Sequence, residues 1–129
     1  MEQKKRIMII DDNLIDQMIT AHVLRSNTTN EEILIMENAY SALDYLETNK
    51  NNLDVIPSLI LLDLDMPGMS GYEFLQHFKN FSQELKDLCR IIVLTGSDIQ
   101  ADLDRVEADP YVSKLINKPL SKNQLIPML

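Results

Sequence analysis

Five short apolar runs, separated by longer amphipathic stretches, place the strongest constraint on how this 129-residue chain folds. Each run has four or five residues, mostly β-branched or leucine, which is typical of strands buried on both faces of a sheet. The predicted strands are 7–10, 33–36, 59–62, 91–94 and 112–116. Because strands and helical segments alternate along the chain, the pattern predicts an α/β domain with a parallel sheet and helices on both faces.

The segments between the runs carry apolar residues at helical spacing. The predicted helices are 13–26, 39–50, 71–81, 98–107 and 121–129. In the first helix, Leu14, Met18 and Ala21 fall on one apolar face, as expected for a helix packed on a sheet. The segment 82–90 is the least regular, and we predict it as a surface connection.

Charge and length exclude several classes of protein. Lysine and arginine number 12 against 20 acidic residues, a net charge of -8, which argues against nucleic-acid binding because phosphate contacts are made largely by basic side chains. No apolar run approaches the roughly 20 residues of a membrane span. The single cysteine, Cys89, cannot form an internal disulfide. We therefore expect a single cytoplasmic domain that binds neither nucleic acid nor membrane.

Polar residues follow four of the five predicted strands, at the point where each strand ends. They are Asp11 and Asp12 after the first strand, Asp63 and Asp65 after the third, Thr95, Gly96 and Ser97 after the fourth, and Asn117, Lys118 and Pro119 after the fifth. Ligands of open parallel sheets bind beyond the carboxyl ends of the strands, so we expect these residues to form one site.

The chemistry of this set indicates a site for a phosphoryl group. Crowded carboxylates raise one another's pKa unless a cation lies among them, and oxygen ligands favour Mg²⁺. Lys118 supplies a positive charge for a phosphate oxygen, and Thr95 supplies a hydroxyl. Because no P-loop sequence is present to hold a nucleotide, an aspartate itself becomes the candidate phosphoryl acceptor.

Four stretches resemble the receiver domain of two-component response regulators. They are IIDDN (9–13), LILLDLDMPGMSG (59–71), IIVLTGS (91–97) and NKPL (117–120), and the resemblance covers essentially the whole chain. It implies a doubly wound, flavodoxin-like sheet of five parallel strands in the order 2-1-3-4-5. It also implies a single, stand-alone receiver domain over residues 1–129, similar to chemotaxis regulators, with no attached output domain.

The resemblance implies a role for each residue at the strand ends. Asp63 would be the phosphoacceptor, already ionised at pH 7 and in need of no separate base. Lys118 would pair with the phosphoryl group, and Thr95 would move towards it as the switch hydroxyl. The Lys118–Pro119 peptide bond would be cis. The groups holding Mg²⁺ would be Asp11, Asp12, Asp63 and the backbone carbonyl of Asp65. The residues contacting the phosphoryl group or tuning its lifetime would be Asp65, Gly96 and Ser97.

The implied function is a phosphoacceptor switch rather than a turnover enzyme. Its donor would be the phosphohistidine of a histidine kinase or of a histidine phosphotransfer protein. The effector would bind the face formed by the fourth helix, fifth strand and fifth helix of the prediction. Five acidic residues against one basic residue, Arg105, in the segment 98–109 suit a partner with a basic docking face. Roles as relay, phosphate sink or effector switch stay open.

One position departs from the family pattern. The fifth strand of receiver domains usually carries an aromatic residue three positions before the lysine, and this chain has Leu115 there. Tyr111 lies seven positions before Lys118, too far along the chain to be assumed equivalent. We therefore expect phosphorylation to be retained and its coupling to the output surface to differ.

Two other functions compete with this interpretation. Asp63-Leu64-Asp65 is a D-x-D sequence after an apolar strand, as in haloacid-dehalogenase-like phosphatases, which also use an aspartyl phosphate. Against that class, Pro67 stands where those enzymes carry threonine or valine, and 129 residues leave little room for a substrate cap. The second alternative is a pseudo-receiver that binds a partner without being phosphorylated.

Overall fold

The computed structural model describes residues 5–27, 31–96, 100–125 and 127, and the described chain forms a five-stranded parallel sheet with helices on both faces. The strands are β1 (Lys5–Ile10), β2 (Glu31–Met36), β3 (Leu59–Asp63), β4 (Arg90–Thr95) and β5 (Val112–Asn117). Their order in the sheet is β2-β1-β3-β4-β5, which confirms the predicted doubly wound topology.

Six helices connect and follow these strands within the described residues. They are α1 (Leu14–Asn27), α2 (Ala39–Thr48), α3 (Gly71–Phe78), α4 (Gln83–Leu88), α5 (Gln100–Glu107) and α6 (Lys122–Leu125). The fourth and fifth helices of the prediction correspond to α5 and α6, and positions 97–99, 126, 128 and 129 lie outside the described residues. None of the helices in the described ranges has the length and apolar character needed to cross a membrane.

Alternating side chains of the strands build two separate cores. In β1, Ile7 and Ile9 pack into the cluster that also contains Ala21 and Leu24 of α1. Met8 of the same strand packs on the opposite face, in the cluster that holds residues of α2, α3, α4 and α5. The sheet is therefore covered on both sides, which explains why its strands are continuously apolar in the sequence.

The prediction of a surface connection over 82–90 is wrong, because most of this segment forms helix α4. Ser82 caps this helix: its side-chain oxygen accepts a hydrogen bond from the backbone N–H of Leu85 at 3.2 Å. Leu85 is fully buried in the core on the α3 side. One buried leucine and one capping serine give too little periodicity to be recognised in a helix of six residues.

The predicted apolar face of α1 is also wrong for two of its three residues. Leu14 and Met18 are 68% and 64% exposed, whereas Ala21 is buried. Gln17, a polar residue, is buried instead, and its side-chain amide donates a 2.6 Å hydrogen bond to the backbone carbonyl of Asp11. This bond satisfies the buried amide and turns the first two turns of α1 so that their apolar side chains face outward.

Gly71 opens α3 at a point where no side chain fits. A Cβ atom there would overlap the backbone carbonyl oxygen of Asp63 and lie 2.9 Å from the Cα of Leu64. Both obstacles are backbone atoms of the segment that carries Asp63, so they cannot rotate away. The close approach is fixed by a 3.0 Å hydrogen bond from the backbone N–H of Gly71 to the carbonyl of Leu64.

We expect Gly71→Ala to lower the free energy of unfolding by about 1–3 kcal/mol, because the added methyl group forces β3 and α3 apart. Urea denaturation measures this loss. Gly96→Ala is the matched control, since a Cβ there meets nothing within 4 Å, and its effect is expected to stay within about 0.5 kcal/mol. Equal losses in the two variants would contradict the packing explanation.

Candidate phosphoryl-acceptor site

The register of the parallel strands brings the polar strand ends to one edge of the sheet. Ile10 pairs with Leu62, so Asp11 and Asp63 follow at the same level. Thr95 pairs with Asn117, so Lys118 follows next to it, and the backbone N–H of Lys118 donates a 2.8 Å hydrogen bond to the carbonyl of Thr95. Asp11, Asp63, Thr95 and Lys118, which follow or end four of the strands, therefore meet at one edge of the sheet.

Hydrogen bonds hold both the backbone and the side chain of Asp11 in place. Its backbone N–H donates to the carbonyl of Met36 at 3.0 Å, and its side-chain oxygen accepts from the backbone N–H of Asn13 at 2.9 Å. Asp11 is buried, and Asp12 beside it is exposed. One carboxylate oxygen from each of Asp11, Asp12 and Asp63 lies within 4.8 Å of the others. These three oxygens form the acidic cluster of the site.

Asp63 carries the most perturbed carboxylate at this edge. It is 3% exposed, and burial, reinforced by the charge of Asp11, raises its pKa from 3.8 to about 7, against the opposing effect of Lys118. The backbone N–H of Asp65 donates to its Oδ1 at 3.2 Å. The expectation that Asp63 is ionised at pH 7 applies to a site that also holds a cation, and it stays a prediction. Burial is the main cause of the raised pKa and the charge of Asp11 adds to it, and a cation beside Asp63 would lower the pKa again.

Lys118 is the counter-charge of the acidic cluster. Its ammonium group lies 3.1 Å from Asp11 Oδ2 and 3.2 Å from Asp63 Oδ1. Burial lowers the pKa of Lys118, but the hydrogen bond to Asp16 and the charges of Asp63 and Asp11 outweigh burial, so its pKa lies above the ordinary value. Lys118 therefore stays protonated at any physiological pH. Its peptide bond to Pro119 is cis.

Asp16 is the residue of this edge that the sequence reasoning missed. Its Oδ2 lies 2.8 Å from the ammonium nitrogen of Lys118, the shortest of the three ion pairs that Lys118 makes among the described residues. The available signal was an acidic residue in the first turn of the helix that directly follows Asp11 and Asp12. Such a residue is ordinarily explained by the helix dipole, so the sequence alone did not single it out.

Thr95 and Asp65 form the side of the site next to α5. Thr95 is fully buried, and its hydroxyl donates to Asp65 Oδ2 at 3.4 Å. The hydroxyl thus contacts the loop after β3. Gly96 follows Thr95 and is exposed, while Ser97 lies outside the described residues. The structure therefore places a hydroxyl beside the acidic cluster and pairs it with a residue of the neighbouring loop.

Leu115 and Tyr111 occupy different environments. Leu115 is partly buried and packs against the core on the α3 side. Tyr111 precedes β5, at the end of the strand away from Lys118, and its ring contacts Phe78 edge-on at 5.8 Å between centroids. The ammonium group of Lys86 lies 4.8 Å from the centre of the same ring. Tyr111 is thus part of the packing between α3, α4 and β5. It does not take the place of the aromatic residue that receiver domains usually carry at the position of Leu115.

The site has the donor set of a divalent-cation centre. Three carboxylates converge and, in the part of the chain that the structure describes, Lys118 pairs with two of them; oxygen ligands of this kind suit hard ions such as Mg²⁺ or Mn²⁺. Burial and the charge of Asp11 together outweigh the effect of Lys118 on the pKa of Asp63. A doubly wound fold with an acidic cluster, a buried aspartate, a lysine and a threonine at the strand ends is the combination that the sequence analysis associated with signalling receiver domains.

Comparison with known proteins gives the family. The family model of the response regulator receiver domain matches residues 7–129, and the chain belongs to this family. The two-component response regulator ARR17 of Arabidopsis thaliana is 29% identical over 126 residues, covering 93% of this chain and 79% of that protein. The response regulator Rcp1 of Synechocystis sp. strain PCC 6803 is 30% identical over 100 residues, covering 77% of this chain and 67% of Rcp1.

Solved structures agree with this assignment. A two-component response regulator from Cytophaga hutchinsonii superimposes with a TM-score of 0.87 and 27% identity, covering 98% of this chain and 95% of that one. The Mn²⁺-bound form of Rcp1 superimposes with a TM-score of 0.72 and 29% identity, covering 96% and 88%. The chain is therefore a receiver domain of two-component signalling, which decides against the phosphatase suggested by the D-x-D sequence.

The raised pKa of Asp63 predicts how its ionisation affects stability. Ionised Asp63 costs free energy in the folded state, because its folded-state pKa of about 7 lies above the ordinary 3.8. This cost is absent well below pH 3.8 and grows until the pH passes about 7. In the presence of a chelator, Asp63→Asn is expected to raise the free energy of unfolding by about 1–3 kcal/mol at pH 8, and by less than half of that at pH 5.

Urea denaturation of both proteins at the two pH values measures this difference. Adding Mg²⁺ at pH 8 is expected to stabilise the wild type and to leave the variant nearly unchanged, because the cation relieves a repulsion that the variant lacks. A variant less stable than the wild type at pH 8 without Mg²⁺ would contradict the raised pKa.

Proposed function

We propose that this receiver domain is a phosphoacceptor switch in which Asp63 takes a phosphoryl group from a phosphohistidine. The observation that supports this most directly is the position of Asp63, buried between Asp11 and Lys118 at the carboxyl edge of the sheet. A buried carboxylate between an acidic cluster and a lysine has little structural value, because burying charge costs free energy unless it serves a ligand.

In the proposed reaction, a carboxylate oxygen of Asp63 forms a bond to phosphorus as the bond from phosphorus to the histidine nitrogen breaks. The nitrogen keeps the electron pair and takes a proton from water. Charge develops on the oxygens of the phosphoryl group, and the ammonium group of Lys118, 3.2 Å from Asp63 Oδ1, is placed to neutralise part of it. Hydrolysis of the acyl phosphate returns the carboxylate, so the domain resets without acting as a turnover enzyme.

The residues that would hold a divalent cation are Asp11, Asp12, Asp63 and the backbone carbonyl of Asp65. A bound Mg²⁺ would supply positive charge to the phosphoryl oxygens and lower the pKa of Asp63. Asp12 is the exposed member of the acidic cluster and is thus accessible to an ion arriving from solvent. The Mn²⁺-bound form of the similar response regulator Rcp1 supports a divalent cation as the class of ligand.

Thr95 is the proposed switch hydroxyl. Its 3.4 Å hydrogen bond to Asp65 is long and therefore weak, so a phosphoryl oxygen on Asp63 would compete with Asp65 for it. Asp65, Gly96 and Ser97 are the proposed residues around the phosphoryl group that tune its lifetime. With Leu115 in place of an aromatic residue, movement of Thr95 would be read through packing of an aliphatic side chain.

The proposed effector surface is the face formed by α5, β5 and α6. We also propose that the protein works in the cytoplasm. Three acidic residues of α5 suit an effector with a basic surface: Asp102, Asp104 and Glu107. Such an interaction would weaken as salt concentration rises.

Acetyl phosphate with Mg²⁺ is expected to add one phosphoryl group to the wild type, because the small donor bypasses any partner protein. Intact-protein mass spectrometry measures the addition, with Asp63→Asn as the variant that receives none. Asp54→Asn is the control, since Asp54 is an acidic residue outside the strand ends. No addition to the wild type would favour the pseudo-receiver, and addition to Asp63→Asn would place the acceptor elsewhere.

Exposed apolar side chains on α1, beside the site, form the proposed docking surface for the protein that donates the phosphoryl group. Leu14, Ile15 and Met18 are between 64% and 68% exposed on the first two turns of α1, directly after Asp11 and Asp12. A donor must bring its histidine to Asp63 over this rim, because Asp63 itself is 3% exposed. The three residues form what we call the α1 patch, and a helical donor surface with apolar side chains would cover it.

Ile15→Ser is expected to slow phosphoryl transfer from a phosphorylated histidine kinase or histidine phosphotransfer protein at least about fivefold, because it removes apolar contact area at the α1 patch. The rate with acetyl phosphate is expected to stay within about twofold of the wild type. Leu88→Ser, which changes an exposed leucine on α4, is the control. The same loss with acetyl phosphate, or with Leu88→Ser, would contradict a docking role.

A further inference from the structure

All three N–H groups of the Lys118 ammonium are matched by carboxylates. Its nitrogen lies 2.8 Å from Asp16, 3.1 Å from Asp11 and 3.2 Å from Asp63. An ammonium group has three donors and no acceptor, so these contacts saturate it. A phosphoryl oxygen can receive a direct hydrogen bond from Lys118 only if one of the three carboxylates loses its contact with the ammonium group.

The three carboxylates differ in what their release would cost. Asp11 and Asp63 are both buried and belong to the acidic cluster, so a carboxylate that lost Lys118 would stay out of water. Asp16 lies outside the acidic cluster, and its side chain is 33% exposed. Its carboxylate can be rehydrated when Lys118 leaves, which makes it the contact that is given up at lowest cost.

The contact with Asp16 is built into the loop that carries the acidic cluster. Asn13 receives a hydrogen bond on its side-chain oxygen from the backbone N–H of Asp16 at 3.0 Å. The backbone N–H of Asn13 in turn donates to Asp11 Oδ1 at 2.9 Å. Asn13 thus fixes Asp16 relative to Asp11, and Asp16 reaches Lys118 across 102 positions of the chain.

From this arrangement we propose that Asp16 is a positioning residue that holds Lys118 in the unphosphorylated protein and gives it up when Asp63 carries a phosphoryl group. This inference rests on the proposed function of Asp63. Asp16 keeps the ammonium group at the edge of the site, and it competes with the incoming phosphoryl oxygens for the same N–H donor. Its negative charge also repels the negatively charged oxygens of an arriving phosphoryl group.

Exchange of the Asp16 contact predicts that loss of Asp16 increases the affinity for a phosphoryl mimic, which a purely structural role of Asp16 would not do. Removing the charge of Asp16 frees one donor of Lys118 and removes a competitor, so binding of a phosphoryl mimic becomes tighter. If Asp16 only supported the shape of the site, its loss would weaken binding or leave it unchanged. A partly exposed ion pair of this kind accounts for roughly a three- to tenfold change in affinity.

The test is calorimetric titration of the Mg²⁺-loaded protein with beryllofluoride, which mimics a phosphoryl group on a carboxylate. Asp16→Asn is expected to bind it about three- to tenfold more tightly than the wild type. Asp16→Glu restores the charge and is expected to return the affinity towards that of the wild type. Glu37→Gln is the matched control, because Glu37 follows β2 at the same sheet edge and, among the described residues, makes no ion pair with Lys118.

The affinities of the variants for beryllofluoride distinguish exchange of the Asp16 contact from a structural role of Asp16. Tighter binding in Asp16→Asn with a change below about twofold in Glu37→Gln supports exchange of the Asp16 contact. Unchanged or weaker binding in Asp16→Asn overturns it, and so does an equal gain in both variants, which would indicate a long-range charge effect. A wild type that binds no beryllofluoride would overturn the proposed function of Asp63, and this inference with it.

Discussion

The balance of charge between one lysine and the carboxylates at the strand ends is the interaction on which the site depends. Lys118 compensates a single charge, whereas Asp11, Asp12, Asp16 and Asp63 bring four carboxylates into the same region. Burial and the charge of Asp11 raise the pKa of Asp63 in spite of the neighbouring Lys118. In the proposed function, a cation bound by these carboxylates would offset their charge and allow an anionic phosphoryl group to approach Asp63.

The fold serves this balance through backbone contacts that fix the loops carrying the charges. The N–H of Lys118 is bonded to Thr95, and the N–H of Leu64 is bonded to Leu94, so the loops after β3 and β5 are tied to β4. Gly71 allows α3 to begin directly against the carbonyl of Asp63. Because the backbone is held, phosphorylation of Asp63 as we propose it would act on side-chain contacts, above all those of Thr95 and Lys118.

Much of the fold and the main residues at the sheet edge could be predicted from the sequence, because strand ends of a parallel sheet necessarily meet. The remaining features depend on tertiary contacts. Asp16 is distinguished from other first-turn acids only by reaching Lys118, 102 positions away. Leu14 is apolar and at helical spacing, but the hydrogen bond of Gln17 turns it outward. Helix α4 is too short to show a period, and the cap of Ser82 and the burial of Leu85 account for it.

A crystal structure of the protein with Mn²⁺ and beryllofluoride tests the central claim most directly, since anomalous scattering locates the metal without assumption. The account predicts a manganese peak in contact with Asp11, Asp12 and Asp63. It also predicts beryllium bonded to a carboxylate oxygen of Asp63, with a fluorine within hydrogen-bonding distance of Lys118. A metal bound elsewhere, or beryllofluoride bonded to a different aspartate, would contradict it.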